Sequence, residues 1–208
     1  MSQFFQIHPD NPQQRLIRQA VDMVRDGAVI AYPTDSAYAL GCHLDDKKAL
    51  ERIRAIRRVD SKHNFTLMCR DLSEIATYAK VDNASYRILN HNTPGAYTFI
   101  LPATREVPRR LQHPKRKTIG IRIPDNPVTL ALLKELGEPL MSTTLILPNQ
   151  DMPLTEAEDI RDELERQLDL IIDGGHCGID PTTVVDMTGP IPQIARAGRG
   201  DTTPFEGD

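Results

Sequence analysis

Tryptophan is absent and aromatic residues make up only 5 % of the chain, which disfavours a single-strand binder built on rows of stacking platforms. Cysteine is scarce: Cys42, Cys69 and Cys177 are odd in number, far apart and without a C-x-x-C pair. Neither a disulfide framework nor a zinc site is indicated, and a reducing compartment fits. No apolar run approaches the length that crosses a bilayer, and the opening MSQFFQIHPD lacks the basic start and apolar stretch of a secretory signal. The expectation is a cytoplasmic protein with no membrane partner. An excess of cations is also missing, since 25 Lys and Arg face 29 Asp and Glu for a net charge of -4; overall basicity therefore argues for no nucleic acid. The six histidines include no pair at the close spacing of a metal site on one helix, so no metal site is expected. His176 and Cys177 adjoin, but sequence neighbours rarely face one another as a nucleophile and its base must.

What is present is a chain of 208 residues, 39 % hydrophobic and 26 % charged, the size of one domain with one core. Leu16, Ile17, Ala20, Val21 and Val24 recur at helical spacing after Asn11 and Pro12, and Gly27 stops the pattern. The run AVIAY, 28–32, then reads as a buried strand between Gly27 and Pro33. The alternation continues with helical patterns over 46–57, 73–79, 83–91 and 126–136, and strand patterns over 65–69, 96–101, 118–124 and 140–144. Thr155 with Glu158 makes a capping box at the head of an acidic helix. Strand patterns over 168–172, 183–187 and 193–196 follow with little helix between them. The expected fold is α/β, a single-domain twisted open mixed sheet with flanking helices. The domain is expected over 5–200, with 201–208 a loose tail.

Charge is segregated. Arg52, Arg54, Arg57, Arg58 and Lys62 lie in one short run against Asp60, and Arg105, Arg109, Arg110, Lys115, Arg116 and Lys117 in another against Glu106. From 151 to 173 nine acids face only Arg161 and Arg166. Such runs are ordinary solvated faces when isolated. If they flank one concavity, they become a surface for a nucleotide's phosphates or an RNA backbone, with Arg52, Arg54, Arg57, Arg58, Arg109, Arg110, Lys115, Arg116 and Lys117 as the RNA contacts. Double-stranded RNA, read by shape and phosphate, is compatible with this composition.

After the strand 28–32 comes Pro33-Thr34-Asp35-Ser36-Ala37-Tyr38, two hydroxyls and a carboxylate at a strand end, where open α/β sheets bind ligands. The same residues also suit an ordinary turn with local side-chain capping. Further on stand Thr93-Pro94-Gly95-Ala96-Tyr97-Thr98, Gly120-Ile121-Arg122-Ile123-Pro124, Ser142-Thr143-Thr144, Asp173-Gly174-Gly175-His176, Pro181-Thr182-Thr183 and Ile194-Ala195-Arg196-Ala197-Gly198. In this order and spacing the segments resemble the YrdC-like domain of the threonylcarbamoyl-AMP synthase family, from about Phe5 to Gly198, with departures similar to those of its YciO branch. The resemblance implies a YrdC-like fold with a positively charged concave face. It also implies condensation of threonine, bicarbonate and ATP into an adenylate used in tRNA modification, and binding of double-stranded RNA. Carried over by position, Thr34 and Tyr38 line the amino-acid end of the pocket, with Thr98 and Arg122 near the threonine carboxylate. Ser142 and Thr144 belong to a strand beside it, Thr182 stands where the family has Ser, and Arg196 reaches toward the nucleotide. Arg122 could equally pair with a structural Asp, and Arg196 could be a surface residue.

Two departures stand out. Family synthases carry K-x-R-P after the second helix; here Arg57 takes the Lys position and Val59 the Arg position, leaving Arg58, Lys62 or His63 as replacements. The family's S-x-N becomes Thr144-Leu145-Ile146, with Ile at the amide. Losing one donor to a transferring phosphoryl group commonly costs ~3 to 4 kcal/mol. The expectation is therefore a binding protein for RNA and a nucleotide, the alternative being the synthase or an enzyme acting on a related acyl-adenylate. No cofactor is expected to be tightly bound; Mg²⁺ would enter with a nucleotide.

Overall fold

The computed structural model describes residues 1–206. In chain order the elements are β1 (Gln3–Gln6), α1 (Gln14–Arg25), β2 (Ile30–Tyr32), β3 (Ala39–His43), α2 (Lys47–Arg57), β4 (Thr66–Met68), α3 (Leu72–Tyr78) and α4 (Asn83–Asn92). They continue with β5 (Tyr97–Pro102), β6 (Thr118–Arg122), α5 (Pro127–Leu136), β7 (Leu140–Thr144), α6 (Ala157–Leu164), β8 (Leu170–Asp173), β9 (Thr183–Asp186) and β10 (Gln193–Arg196). Local chemistry starts four of the helices: the side chains of Asp46, Asp71, Asp82 and Asn126 accept from the backbone N–H groups of Ala49, Glu74, Ser85 and Thr129. Each such cap is worth about 1 kcal/mol.

The strands form one mixed sheet in the order β1-β8-β2-β3-β7-β4-β6-β5-β9-β10. Side chains alternate between its faces. One face carries Leu40, Leu67, Phe99, Ile121, Met141 and Ile171 and is covered by α2, α3, α4 and α6 through Leu50, Ile53, Ile75, Leu89 and Ile160. On the other face, Ile30, Tyr32, Leu170 and Ile172 pack under α1 and α5 through Val21, Val24, Val128 and Leu132. Beyond β3 that second face carries polar side chains instead and forms a groove. Register fixes its floor: Gly41 pairs with Ser142, Ser142 with Thr66, Thr66 with Gly120, and Gly120 with Ile100.

Several expectations are corrected. The sequence pattern does not reveal β1 and β3. Helix α1 starts after Gln13 rather than Asn11, whose backbone N–H donates to His8 Nδ1 at 3.1 Å. Helix α6 starts after Glu156 without a side-chain cap. The Thr155 carbonyl instead accepts from Cys177 N–H at 3.0 Å, and Glu156 meets His176 Nδ1 at 2.6 Å, so tertiary contacts replace the capping box. Within the expected tail the Phe205 ring lies 5.7 Å from Tyr97 and 6.3 Å from Phe99. Residues 207–208 of the expected tail lie outside the described residues. Among the described residues no helix is long and apolar enough to cross a membrane.

Candidate functional site

The groove has a volume of about 360 Å³ and opens between the turn after β2, the end of α2 and strands β4, β6, β5, β7 and β9. Three guanidinium groups enter it, each held by a hydroxyl, and among the described residues no carboxylate lines it. The first hydroxyl group arises locally. Thr34 Oγ1 accepts from the N–H groups of Ser36 and Ala37 at 3.1 and 3.2 Å and donates to the Ala37 carbonyl at 2.6 Å. This side-chain turn brings Ser36 within reach of Arg122 Nη1 at 3.1 Å. Asp35 pairs with Arg122 Nη2, so Arg122 is paired with a structural Asp while also lining the groove.

The second guanidinium is Arg57, at the last turn of α2. Its Nη1 donates to Thr143 Oγ1 at 3.0 Å and to the Thr144 carbonyl. Thr143 Oγ1 also meets His63 Nε2 at 2.9 Å. Because arginine only donates, the threonine oxygen accepts from Arg57, and the direction of its bond with His63 follows the imidazole tautomer. Burial, then the charges of Arg57 and Arg54, hold His63 below its ordinary value and favour its neutral form. The third is Arg196 of β10, whose Nη2 donates to the Thr182 carbonyl at 2.9 Å; Thr182 Oγ1 lies 2.9 Å from Thr98 Oγ1. Burial lowers Arg57, Arg122 and Arg196 from the ordinary arginine range, with Asp35 opposing this at Arg122. Arginine nevertheless stays charged near neutrality. Nε of Arg57, Nε of Arg122 and Oδ2 of Asp35 are buried without a hydrogen-bond partner among the described residues.

Thr34, Arg57, His63, Thr98, Arg122, Ser142, Thr144, Thr182 and Arg196 thus meet in one groove. Tyr38 does not line it. Ala37 and Ala39 do, and strand alternation turns the residue between them to the opposite face, where the Tyr38 hydroxyl donates to the Gly175 carbonyl at 2.6 Å. Arg58 caps α2 in a left-handed conformation, φ 50, and lines a separate depression with Asn149 and Glu163. Lys62 sits exposed in a turn held by Asp60. Ser36, Thr66 and Thr143 were missed as candidates. Ser36 lies in the quoted turn and Thr143 in the quoted triplet, so only Thr66 lacked a signal, being a lone threonine in a short strand. Cys177 is buried and pushed up to about 11 chiefly by burial, which makes it a poor nucleophile.

The two basic runs do not flank one concavity. Arg52 pairs with Asp169 at 2.7 Å, Arg54 with Glu51 while stacking on Phe65, and Arg110 reaches the Leu44 carbonyl and Asp45. Arg116 pairs with Asp186 and lines a small extension of the groove past Asn64 and Ile100. Arg109 and Lys117 line another cleft, and Lys115 is exposed. The concave face is basic, but through Arg57, Arg122 and Arg196 rather than through continuous runs.

An open mixed sheet, covered by helices on one face and half of the other, with a cationic hydroxyl-lined groove on the remainder, defines the class of α/β domain to which the chain belongs. The family model Sua5_yciO_yrdC, described as "Telomere recombination", matches residues 22–198, and the chain belongs to this family. It is 60 % identical over 205 residues to protein YciO of Escherichia coli (strain K12), covering 99 % of this chain and 100 % of that one. It is 31 % identical over 161 residues to the threonylcarbamoyl-AMP synthase of Vibrio vulnificus (strain YJ016), 76 % of this chain and 86 % of that protein. The crystal structure of E. coli YciO superposes with a TM-score of 0.95 over 99 % of this chain and 100 % of that chain. P. abyssi Sua5 complexed with L-threonine, at 23 % identity, superposes with a TM-score of 0.83 over 94 % of this chain and 57 % of that one, a likeness of fold alone.

Proposed function

We propose that the protein is an RNA-binding member of its family, selective for RNA of double-stranded character, and that its groove binds a nucleotide, either ATP or an acyl-adenylate. The observation that carries the nucleotide part is the convergence of Arg57, Arg122 and Arg196 on one groove that, among the described residues, no carboxylate lines. Guanidinium forks match phosphate and carboxylate oxygens bidentately. Nε of Arg57 and Nε of Arg122 have no hydrogen-bond partner among the described residues. Mg²⁺ would be carried by the phosphates and water, in keeping with a lining that offers no acidic ligand. The RNA part rests on membership of the family and on the cations that remain exposed outside the groove.

Synthesis of threonylcarbamoyl-AMP is the lesser reading. Ile146 lines the groove where the family synthases carry an amide, and Val59 does not line it. Calorimetry with ATP and Mg²⁺, alongside pyrophosphate release with threonine and bicarbonate added, tests the proposal. Saturable ATP binding that weakens at least ~10-fold in Arg57→Gln, with no pyrophosphate formed, is the expected result. Pyrophosphate release at the rate of an active synthase would replace binding by catalysis, and absence of any nucleotide binding would overturn the groove assignment.

A further inference from the structure

A second cationic cleft lies at the far end of the β5–β6 connection and shares no lining residue with the groove. It has a volume of about 650 Å³ and is lined by Lys80, Arg105, Arg109 and Lys117 together with Thr104 and Gln112. All four cations are exposed. Among the described residues none of them lies within 4.0 Å of a carboxylate, whereas Arg52, Arg54, Arg110 and Arg116 all do. The framework beneath is fixed by backbone bonds: Lys80 N–H donates to the Pro102 carbonyl at 2.8 Å and Ala103 N–H to the Lys117 carbonyl at 2.9 Å. Two side chains complete it, with Thr104 Oγ1 donating to the Thr77 carbonyl at 2.7 Å and Gln112 Nε2 to the Val107 carbonyl at 2.8 Å. Lys80 also lines an adjoining cleft together with Asp82, whose carboxylate accepts from Ser85 N–H.

The geometry points to this cleft as the RNA contact of the protein, holding successive phosphates of a duplex backbone; the inference rests on the RNA-binding reading above. Four unpaired cations converging without an acid repel one another, and a polyanion relieves that repulsion while releasing its own counterions. No aromatic ring lines the cleft to stack a base, and no buried donor is present to read one, so recognition is through phosphate and shape, the mode suited to double-stranded RNA. Large apolar anchors are also lacking, which disfavours a membrane surface. The groove, by contrast, is narrower, with its cations tied to hydroxyls, and suits a single nucleotide.

The test is titration of an RNA duplex of about 20 base pairs, long enough to span a double-strand contact, at several salt concentrations. The proteins are wild type, the quadruple variant K80Q/R105Q/R109Q/K117Q and the groove variant R57Q/R196Q, with melting temperatures recorded beside them. The quadruple variant is expected to melt as wild type, to bind at least ~10-fold more weakly, and to lose about 3.6 from the log–log salt slope, about 0.9 for each of the four phosphate contacts removed. The groove variant is expected to bind the duplex as wild type does. Unchanged affinity and slope in the quadruple variant, with loss in the groove variant, would overturn this inference and leave RNA binding standing on the groove. A wild type that binds no duplex would overturn both. A cleft that binds inorganic tripolyphosphate, with duplex affinity indifferent to the quadruple change, is a small-anion site and also overturns it.

Discussion

Arg122 and Asp35 form an ion pair at the base of the groove with only 7 % and 11 % of their side chains exposed. Arg122 Nη1 is further committed to Ser36, while its Nε and the Asp35 Oδ2 stay buried without partners. The pair fixes the turn after β2 and holds a charged guanidinium at the base of the groove.

Removing one member of such a pair leaves the other charge buried and uncompensated, a loss of roughly 3 to 5 kcal/mol. Arg122→Met is expected to lower the unfolding free energy by about that amount in urea titrations. The double variant Arg122→Met/Asp35→Leu, which removes both charges, is expected to recover part of the loss. Strictly additive losses in the double variant would show that the two residues are not coupled.

His63 sets a pH dependence whose sign follows from its environment. Burial and the charges of Arg57 and Arg54 depress its folded value below the ordinary one near 6.5. Below that value the unfolded chain takes up a proton that the folded protein resists. The unfolded state then binds more protons, and stability falls as pH drops through the range between the unfolded and folded values. Stability curves recorded from pH 7.5 downward are expected to show this loss in wild type and a shallower one in His63→Gln. Identical curves would mean that His63 titrates alike in both states.

How much of this was legible varies with the physics. Strand β7 and strand β10 were read to the residue from short apolar or alternating runs between turn residues. Strand β3 was not, because ALGCH holds glycine, cysteine and histidine, and its strand state comes from pairing with β2 and β7 on both sides rather than from propensity. Strand β1 is a four-residue edge strand, QFFQ, too short to show a clear alternation. Within the site, hydroxyls and arginines were found because their types match phosphate chemistry. Tyr38 failed on parity, which needs the strand's facing and not only its composition. The basic runs disperse because proximity in sequence does not say where long side chains end: Arg52 and Arg57 lie on one helix yet meet Asp169 and Thr143 respectively.

Gly198 is expected to tolerate no side chain. A Cβ there would lie 2.3 Å from the Pro181 carbonyl oxygen and 2.6 Å from the Thr182 carbonyl carbon, so backbone must move. Two bonds, Gly198 N–H to Thr183 Oγ1 at 3.0 Å and Arg199 N–H to the Pro181 carbonyl at 2.8 Å, hold that approach. Gly198→Ala should cost about 1 to 3 kcal/mol, the range for overpacking. By displacing Thr182, it should also weaken groove ligands. Gly189→Ala is the control, since its Cβ would meet only the Ile191 carbonyl oxygen at 3.8 Å. A loss within ~0.5 kcal/mol is expected there, as for an ordinary surface change.

Gly120 separates the groove from the cationic cleft experimentally. It sits in the middle of β6, between Thr66 and Ile100 in the floor register, and a Cβ there would approach Thr98 Cγ2 at 3.2 Å and Thr66 Oγ1 at 3.5 Å. Valine suits a strand backbone, so Gly120→Val should fold and fill the floor with two methyl groups. Nucleotide affinity is expected to fall at least ~10-fold, because a ligand seated on the floor would have to displace packed atoms. Duplex RNA affinity is expected to stay at the wild-type value, because Lys80, Arg105, Arg109 and Lys117 lie beyond the end of the strand. Parallel loss of both affinities in a variant that melts like wild type would mean that nucleotide and RNA share the groove. Retention of both would mean that the nucleotide does not rest on the floor that Ser142, Thr66 and Gly120 build.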